Sequence, residues 1–151
     1  MSYTRLLFHI VFRTKHSIPA INMEHENELY RYIWGYIKNK DCILYRIGGM
    51  PDHIHMLIQI RATILLSDFM RDLKTATSKY LQEPCREAFP MFSGWGKSYC
   101  AISCSPMEKD SVVDYIKGQK VHHKKTSFQE ELLKIFSENN IDDNVESFLK
   151  E

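Results

Sequence analysis

A chain of 151 residues with 44% hydrophobic and 26% charged residues holds one compact domain with a real core and is too short for two ordinary ones. No apolar run approaches the roughly 18 residues of a membrane-spanning helix, and the opening MSYTRLLFHIVF shows no basic leader or small-residue cleavage site, so a cytoplasmic location is expected. The net charge of +1 is unevenly spread, because residues 109–125 carry +3 while residues 128–151 carry −5, which leaves +6 on residues 1–127. The acidic tail reads either as an electrostatic screen over a basic body or as the solvated face of a terminal helix. Cys42, Cys85, Cys100 and Cys104 form no C-x-x-C pair and read as reduced core residues, which argues against a finger-type zinc site.

Residues 3–14 alternate, with Leu6, Phe8, Ile10 and Phe12 on one side and Leu7, His9, Val11 and Arg13 on the other, which is strand behaviour. After Pro19, Asn22 is placed to cap a helix to about Lys40, with an apolar stripe through Tyr30, Ile33, Trp34 and Ile37. A second strand is expected over residues 42–47, broken by Gly48 and Gly49. The third, over residues 53–60, directs Ile54, Met56, Ile58 and Ile60 one way and His53, His55, Leu57 and Gln59 the other.

Ser67 opens a second helix with Leu66, Phe69, Met70, Leu73, Ala76 and Tyr80 at helical spacing, ending before Pro84. A fourth strand follows over residues 95–104, with Trp95 and Tyr99 more suited to packing than to stacking on bases. A third helix runs from Pro106 to about Lys124, and Thr126 or Ser127 caps a fourth to about Phe136. This order predicts an α+β fold, a ferredoxin-like or RRM-like antiparallel βαββαβ sheet with helices on one face. The body of the domain then spans residues 1–125, including the third helix on the other side, and residues 126–151 form a helical tail of the same domain.

Two histidines at i and i+2 on a strand project from one face, so His53 and His55 can offer two imidazoles to one metal ion; exposed hydrogen-bonded residues would share that spacing. Asp52 either orients one ring from outside the metal shell or shapes the turn after Pro51. On the third helix Tyr115 and Gln119 lie four apart on one face and His122 continues it, a pattern that by itself describes a packing tyrosine and a solvated amide. Gly118 suggests close backbone approach or a hinge.

Taken together, PDHIHMLI and YIKGQKVHHKKTSFQEEL resemble the single-tyrosine HUH transposases of small insertion sequences, the IS200-like transposases, and HIVFRTKHSIPAI is similar to their first strand. The resemblance implies that His53, His55 and Gln119 bind a metal ion and that Tyr115 is the nucleophile; Asp52, next to His53, and His122, on the Tyr115 stripe, are candidates to support them. It implies cleavage and rejoining of single-stranded DNA through a 5′-phosphotyrosine, on element ends with hairpins, by a homodimer.

Imidazole and amide ligands alone suggest Zn²⁺ or Mn²⁺, whereas the resemblance implies Mg²⁺ or Mn²⁺. Arg5, Arg13, Lys15, Lys97, Lys117 and Lys120 are candidates for following the DNA backbone. The second helix departs from the family, with Lys74-Thr75-Ala76-Thr77-Ser78 where many relatives have Lys-Gly-x-Ser-Ser. The lack of an Asn-Pro pattern after Tyr115 favours the insertion-sequence enzymes over the REP-associated branch. The alternative is a non-catalytic or domesticated single-stranded nucleic-acid-binding protein of the same fold. That reading calls for aromatic residues on the central strands' open face, where this chain has His53, His55, Leu57 and Gln59.

Overall fold

Alternation in the first strand sends its side chains into two separate cores. In the computed structural model, which describes residues 2–150, β1 (Leu6–Thr14) lies between β3 (His53–Ile60) and β4 (Trp95–Cys104), and β2 (Ile43–Met50) completes the sheet beyond β3. All three pairings are antiparallel, in the order β2-β3-β1-β4. Helices α1 (Glu26–Asn39) and α2 (Leu66–Gln82) cover one face. There Leu29, Ile33, Ile37, Phe69, Met70 and Leu73 pack on Ile10, Phe12, Ile54, Met56 and Ile58.

The opposite face is also covered. Along it run α3 (Lys109–Lys117), α4 (Gln119–His122), α5 (Phe128–Glu138) and α6 (Val145–Leu149). Phe128, Leu132, Ile135, Phe136, Val145 and Phe148 form a second apolar cluster on Val11 and Cys100. A capping box starts α5, in which the Ser127 hydroxyl accepts the Glu130 backbone N–H at 3.1 Å and the Glu130 carboxylate reaches back to the Ser127 N–H. The tail therefore docks by packing, which the electrostatic-screen reading does not require.

The ferredoxin-like fold agrees with the sequence reading, while several boundaries differ. Strand β1 begins at Leu6, and α1 begins at Glu26 because the Asn22 side chain accepts the Glu24 N–H and holds a turn instead of capping the helix. Trp34, expected in the stripe, is 51% exposed with Lys38 over its ring, and Leu29 takes the buried place. Thr77 replaces Ala76 as the buried small residue of α2, donating to the Leu73 carbonyl and accepting from the Trp95 indole at 2.8 Å, so Trp95 is a core residue.

Gly48 and Gly49 do not break β2. They pair with His55 and Ile54 as the strand runs on to Met50. A Cβ at Gly48 would lie 3.1 Å from the Ile116 carbonyl oxygen, so glycine lets α3 cross close over the strand. The third helix is instead interrupted at Gly118, where an ordinary negative φ and a Cβ with only van der Waals neighbours do not demand glycine. All four cysteines are free, and no helix among the described residues is long and apolar enough to cross a membrane.

Candidate metal centre and tyrosine

Side chains from five elements converge between the sheet and the helices of the second face. Strand β3 places the His53 and His55 rings there because i and i+2 share a face, and both are fully buried. Beside them β1 contributes His9, whose Nε2 lies 2.9 Å from His55 Nδ1. Helix α3 brings Tyr115, with ring centroids 5.7 Å from His55 and 5.9 Å from His9, and Gln119 follows at the start of α4.

At the centre sits Glu131 of α5, 2% exposed. Its Oε1 is 3.0 Å from His55 Nε2, 3.1 Å from His123 Nε2 and 3.3 Å from His53 Nε2. Its Oε2 accepts hydrogen bonds from the Tyr115 hydroxyl and from Gln119 Nε2, the latter at 2.8 Å. The Gln119 amide oxygen in turn faces His123 Nε2 at 3.0 Å and His53 Nε2 at 3.2 Å. Phe128, at the start of α5, stacks on the His53 ring at 3.8 Å and fixes the helix against it.

The electrostatics follow from burial and from the single carboxylate. Burial, then His55, lowers the His9 pKa to about 3, and burial lowers that of His55 to about 4. For His53 burial opposes charge, but hydrogen bonds to Asp52 and Glu131 outweigh it and the pKa rises. Burial would raise the Glu131 pKa, yet hydrogen bonds from His123, His53 and His55 hold it far below the carboxylate range. Burial and then Glu131 push the Tyr115 phenol above its ordinary value, so its oxygen is protonated at rest.

One ligand atom each from His53, His55, His123 and Glu131 lies within 4.8 Å of the others, a grouping able to hold a metal ion. A cavity of about 520 Å³ opens next to it, lined by His9, Ser103, Tyr115, His122, Glu131 and Lys134 among others. An ion in the cluster and a phosphate in the cavity would both lie against Tyr115.

Of the residues singled out in the sequence, His53, His55, Tyr115, Gln119 and Asp52 fall together, Asp52 through its 2.7 Å contact to His53 Nδ1. His122 borders the cluster, its Nε2 buried and 3.4 Å from Glu131 Oε2 without a hydrogen bond. Arg5, Lys15, Lys97 and Lys117 are exposed, and Lys120 is half-exposed in an ion pair with Glu26 at 2.8 Å. Lys15 and Lys97 line a groove with Lys74 and Lys79 between α2 and β4 that shares no residue with the Tyr115 cavity.

Arg13 requires correction as a DNA contact. It is 1% exposed, and its guanidinium donates to the carbonyls of Phe148 and Thr14 and to the Ser17 hydroxyl. Its place on the Val11 face of β1 points it under the C-terminal helices.

Three residues of the cluster were missed in the sequence. His9 was readable from its alternation with Leu7 and Val11, and His123 from its spacing of four from Gln119. Glu131 had one weak signal, a carboxylate on the stripe of Phe128, Leu132 and Ile135.

The sequence model of the family described as "Transposase IS200 like" matches residues 2–119. Among solved structures, a candidate transposase from Deinococcus radiodurans R1 superposes with a TM-score of 0.59 at 23% identity, over 78% of this chain and 93% of that one. A REP-associated tyrosine transposase bound to a REP hairpin superposes with the same TM-score of 0.59 at 13% identity, over 82% of this chain and 72% of its own. At these identities both likenesses are of fold. No curated protein sequence matches the chain significantly.

Proposed function

This chain belongs to the IS200-like transposase family, and from that premise we propose that it cleaves and rejoins single-stranded DNA with Tyr115 as nucleophile. The observation that carries the reading is the meeting of Tyr115, His53, His55 and Gln119 around the Glu131 carboxylate, beside a cavity that Tyr115 and Glu131 line. In the reaction the Tyr115 oxygen bonds to phosphorus as the bond from phosphorus to the 3′ oxygen breaks. Glu131 Oε2, which already accepts the phenol's hydrogen bond, takes its proton, and the departing 3′ oxygen takes one from solvent. The bond energy is retained in the phosphotyrosine ester, so another 3′-OH can reverse the step and join a new end.

The donor set fits a divalent cation, since imidazole nitrogens, an amide oxygen and a carboxylate oxygen converge with their outer atoms already held. His53, His55 and Gln119 would hold Mg²⁺ or Mn²⁺, which when bound supplies charge to stabilise a non-bridging phosphate oxygen. Asp52 and His9 keep the two rings turned toward the centre. Exposed Lys117, and Lys15 and Lys97 in the separate groove between α2 and β4, are the residues proposed to meet the DNA backbone, and the hairpin-bound relative supports hairpin-bearing ends as substrate.

Tyr115 faces the histidines of its own chain, and the homodimer remains part of the proposal, to be measured by sedimentation. The non-catalytic alternative loses ground because an RRM-like binding face needs an open sheet, and here α3 to α6 cover it.

Incubation with single-stranded element ends and Mn²⁺ is expected to yield a denaturant-stable adduct mapping to Tyr115, and a second fragment with a free 3′-OH. Tyr115→Phe should bind the same DNA and form no adduct. Cleavage by that variant would remove Tyr115 from the role.

A further inference from the structure

We propose that Glu131 and His123 complete the metal shell together with His53 and His55, so that the ion is a first-row transition cation and α5 is part of the catalytic centre. This rests on the metal reading above and changes its ligand set. It also extends the working site past residue 119, where the family match stops.

Donor geometry carries the argument. His53 Nδ1 faces the Asp52 carboxylate at 2.7 Å, and His123 Nδ1 faces the Thr126 carbonyl at 2.8 Å. Both partners only accept, so each ring carries a proton on Nδ1 and turns Nε2 inward, where it donates when protonated and can bind a cation when neutral. The inward side offers Glu131 Oε1 and the Gln119 amide oxygen, which are acceptors as well. Contacts of 3.0–3.3 Å between these atoms need either a proton on each Nε2 or a cation among them, and one cation serves all of them at once. Ligand bonds of about 2.1 Å meeting near a right angle put neighbouring donor atoms about 3.0 Å apart, close to the 3.0–3.3 Å from Glu131 Oε1 to the three Nε2 atoms, and the whole set lies within 4.8 Å.

Charge points the same way. Among the described residues every ion-pair partner of Glu131 is a histidine, so no lysine or arginine balances this buried carboxylate. A divalent ion would balance it without charging the imidazoles. The carboxylate is also built in, because Leu132 beside it is fully buried and Phe128, one turn earlier, stacks on His53. Three imidazoles favour Mn²⁺, Co²⁺ or Zn²⁺ over Mg²⁺, which keeps oxygen and water ligands. Since Glu131 Oε2 holds the Tyr115 hydroxyl while Oε1 faces the histidines, one side chain ties the nucleophile to the ion.

The test is metal affinity of the full chain, measured without DNA by competition with a chromophoric chelator for Mn²⁺, Co²⁺, Zn²⁺ and Mg²⁺, with the visible spectrum of the Co²⁺ form as a second readout. Glu131→Gln and His123→Ala should each weaken Co²⁺ and Mn²⁺ binding by about 10-fold or more and alter the Co²⁺ spectrum. Glu131→Asp, which keeps the charge, should fall between, and it carries the test if the Gln variant fails to fold. Wild-type affinity and spectrum in the Glu131 and His123 variants, with binding lost in His53→Ala, would overturn this ligand set and leave the metal reading standing. Unchanged binding in His53→Ala as well would end both. Tighter binding in Glu131→Gln would make Glu131 a blocking group and overturn the proposal, as would wild-type protein that prefers Mg²⁺.

Discussion

Replacing Leu132 by alanine tests whether α5 is docked on the sheet, on which the position of Glu131 depends. Leu132 is fully buried among Phe128, Ile135, Phe136 and Phe148 over Val11 and Cys100. Alanine removes three carbons, a transfer loss of about 2.4 kcal/mol at ~0.8 kcal/mol per methylene, and the cavity left behind brings the expected cost to about 3–4 kcal/mol. For a chain of this size that lowers the melting temperature by roughly 6–16 °C. Leu133, the next residue, is 52% exposed, so Leu133→Ala should stay within about 0.5 kcal/mol of wild type. Urea unfolding of the two variants, compared at equal slope, measures the difference. If Leu132→Ala costs less than about 1 kcal/mol, or no more than Leu133→Ala, then α5 is not packed in solution and the assembly of the site around Glu131 fails.

His55→Ala should abolish cleavage and also cost about 1–3 kcal/mol in the metal-free protein, read by thermal unfolding, because His9 Nε2 and Glu131 Oε1 each lose a buried partner. Gly48→Ala should slow cleavage about 10-fold or more with DNA affinity retained, since a Cβ 3.1 Å from the Ile116 carbonyl must push α3 and the adjacent Tyr115 outward; single-turnover rates equal to wild type would show that the helix yields without moving the nucleophile.

Local pattern was enough for much of the fold. Two-residue alternation marked β1 and β3, and with the helical spacing between them it led to the βαββαβ order, because each period states which side of an element is apolar. The same rule put His53 and His55 on one face, and the spacing of four put Tyr115 with Gln119. Glycine was less legible: Gly48 and Gly49 looked like a break and proved to be paired strand, since Gly48 answers to α3, a helix more than 60 residues away, and Gly49 to the close backbone of β3 at His53.

Distance in sequence also hid the rest of the site. Arg13 resembles any basic residue beside a strand until α6 closes over it, and Glu131 is one of seven carboxylates in an acidic tail until α5 docks. Sequence by itself determined which side chains share an element's face, because backbone geometry sets that within a few residues. Only the tertiary structure decided which faces meet, and so which carboxylate lies among the histidines, because that depends on the packing of Phe128, Leu132, Ile135 and Phe148 against a strand over 100 residues earlier in the chain.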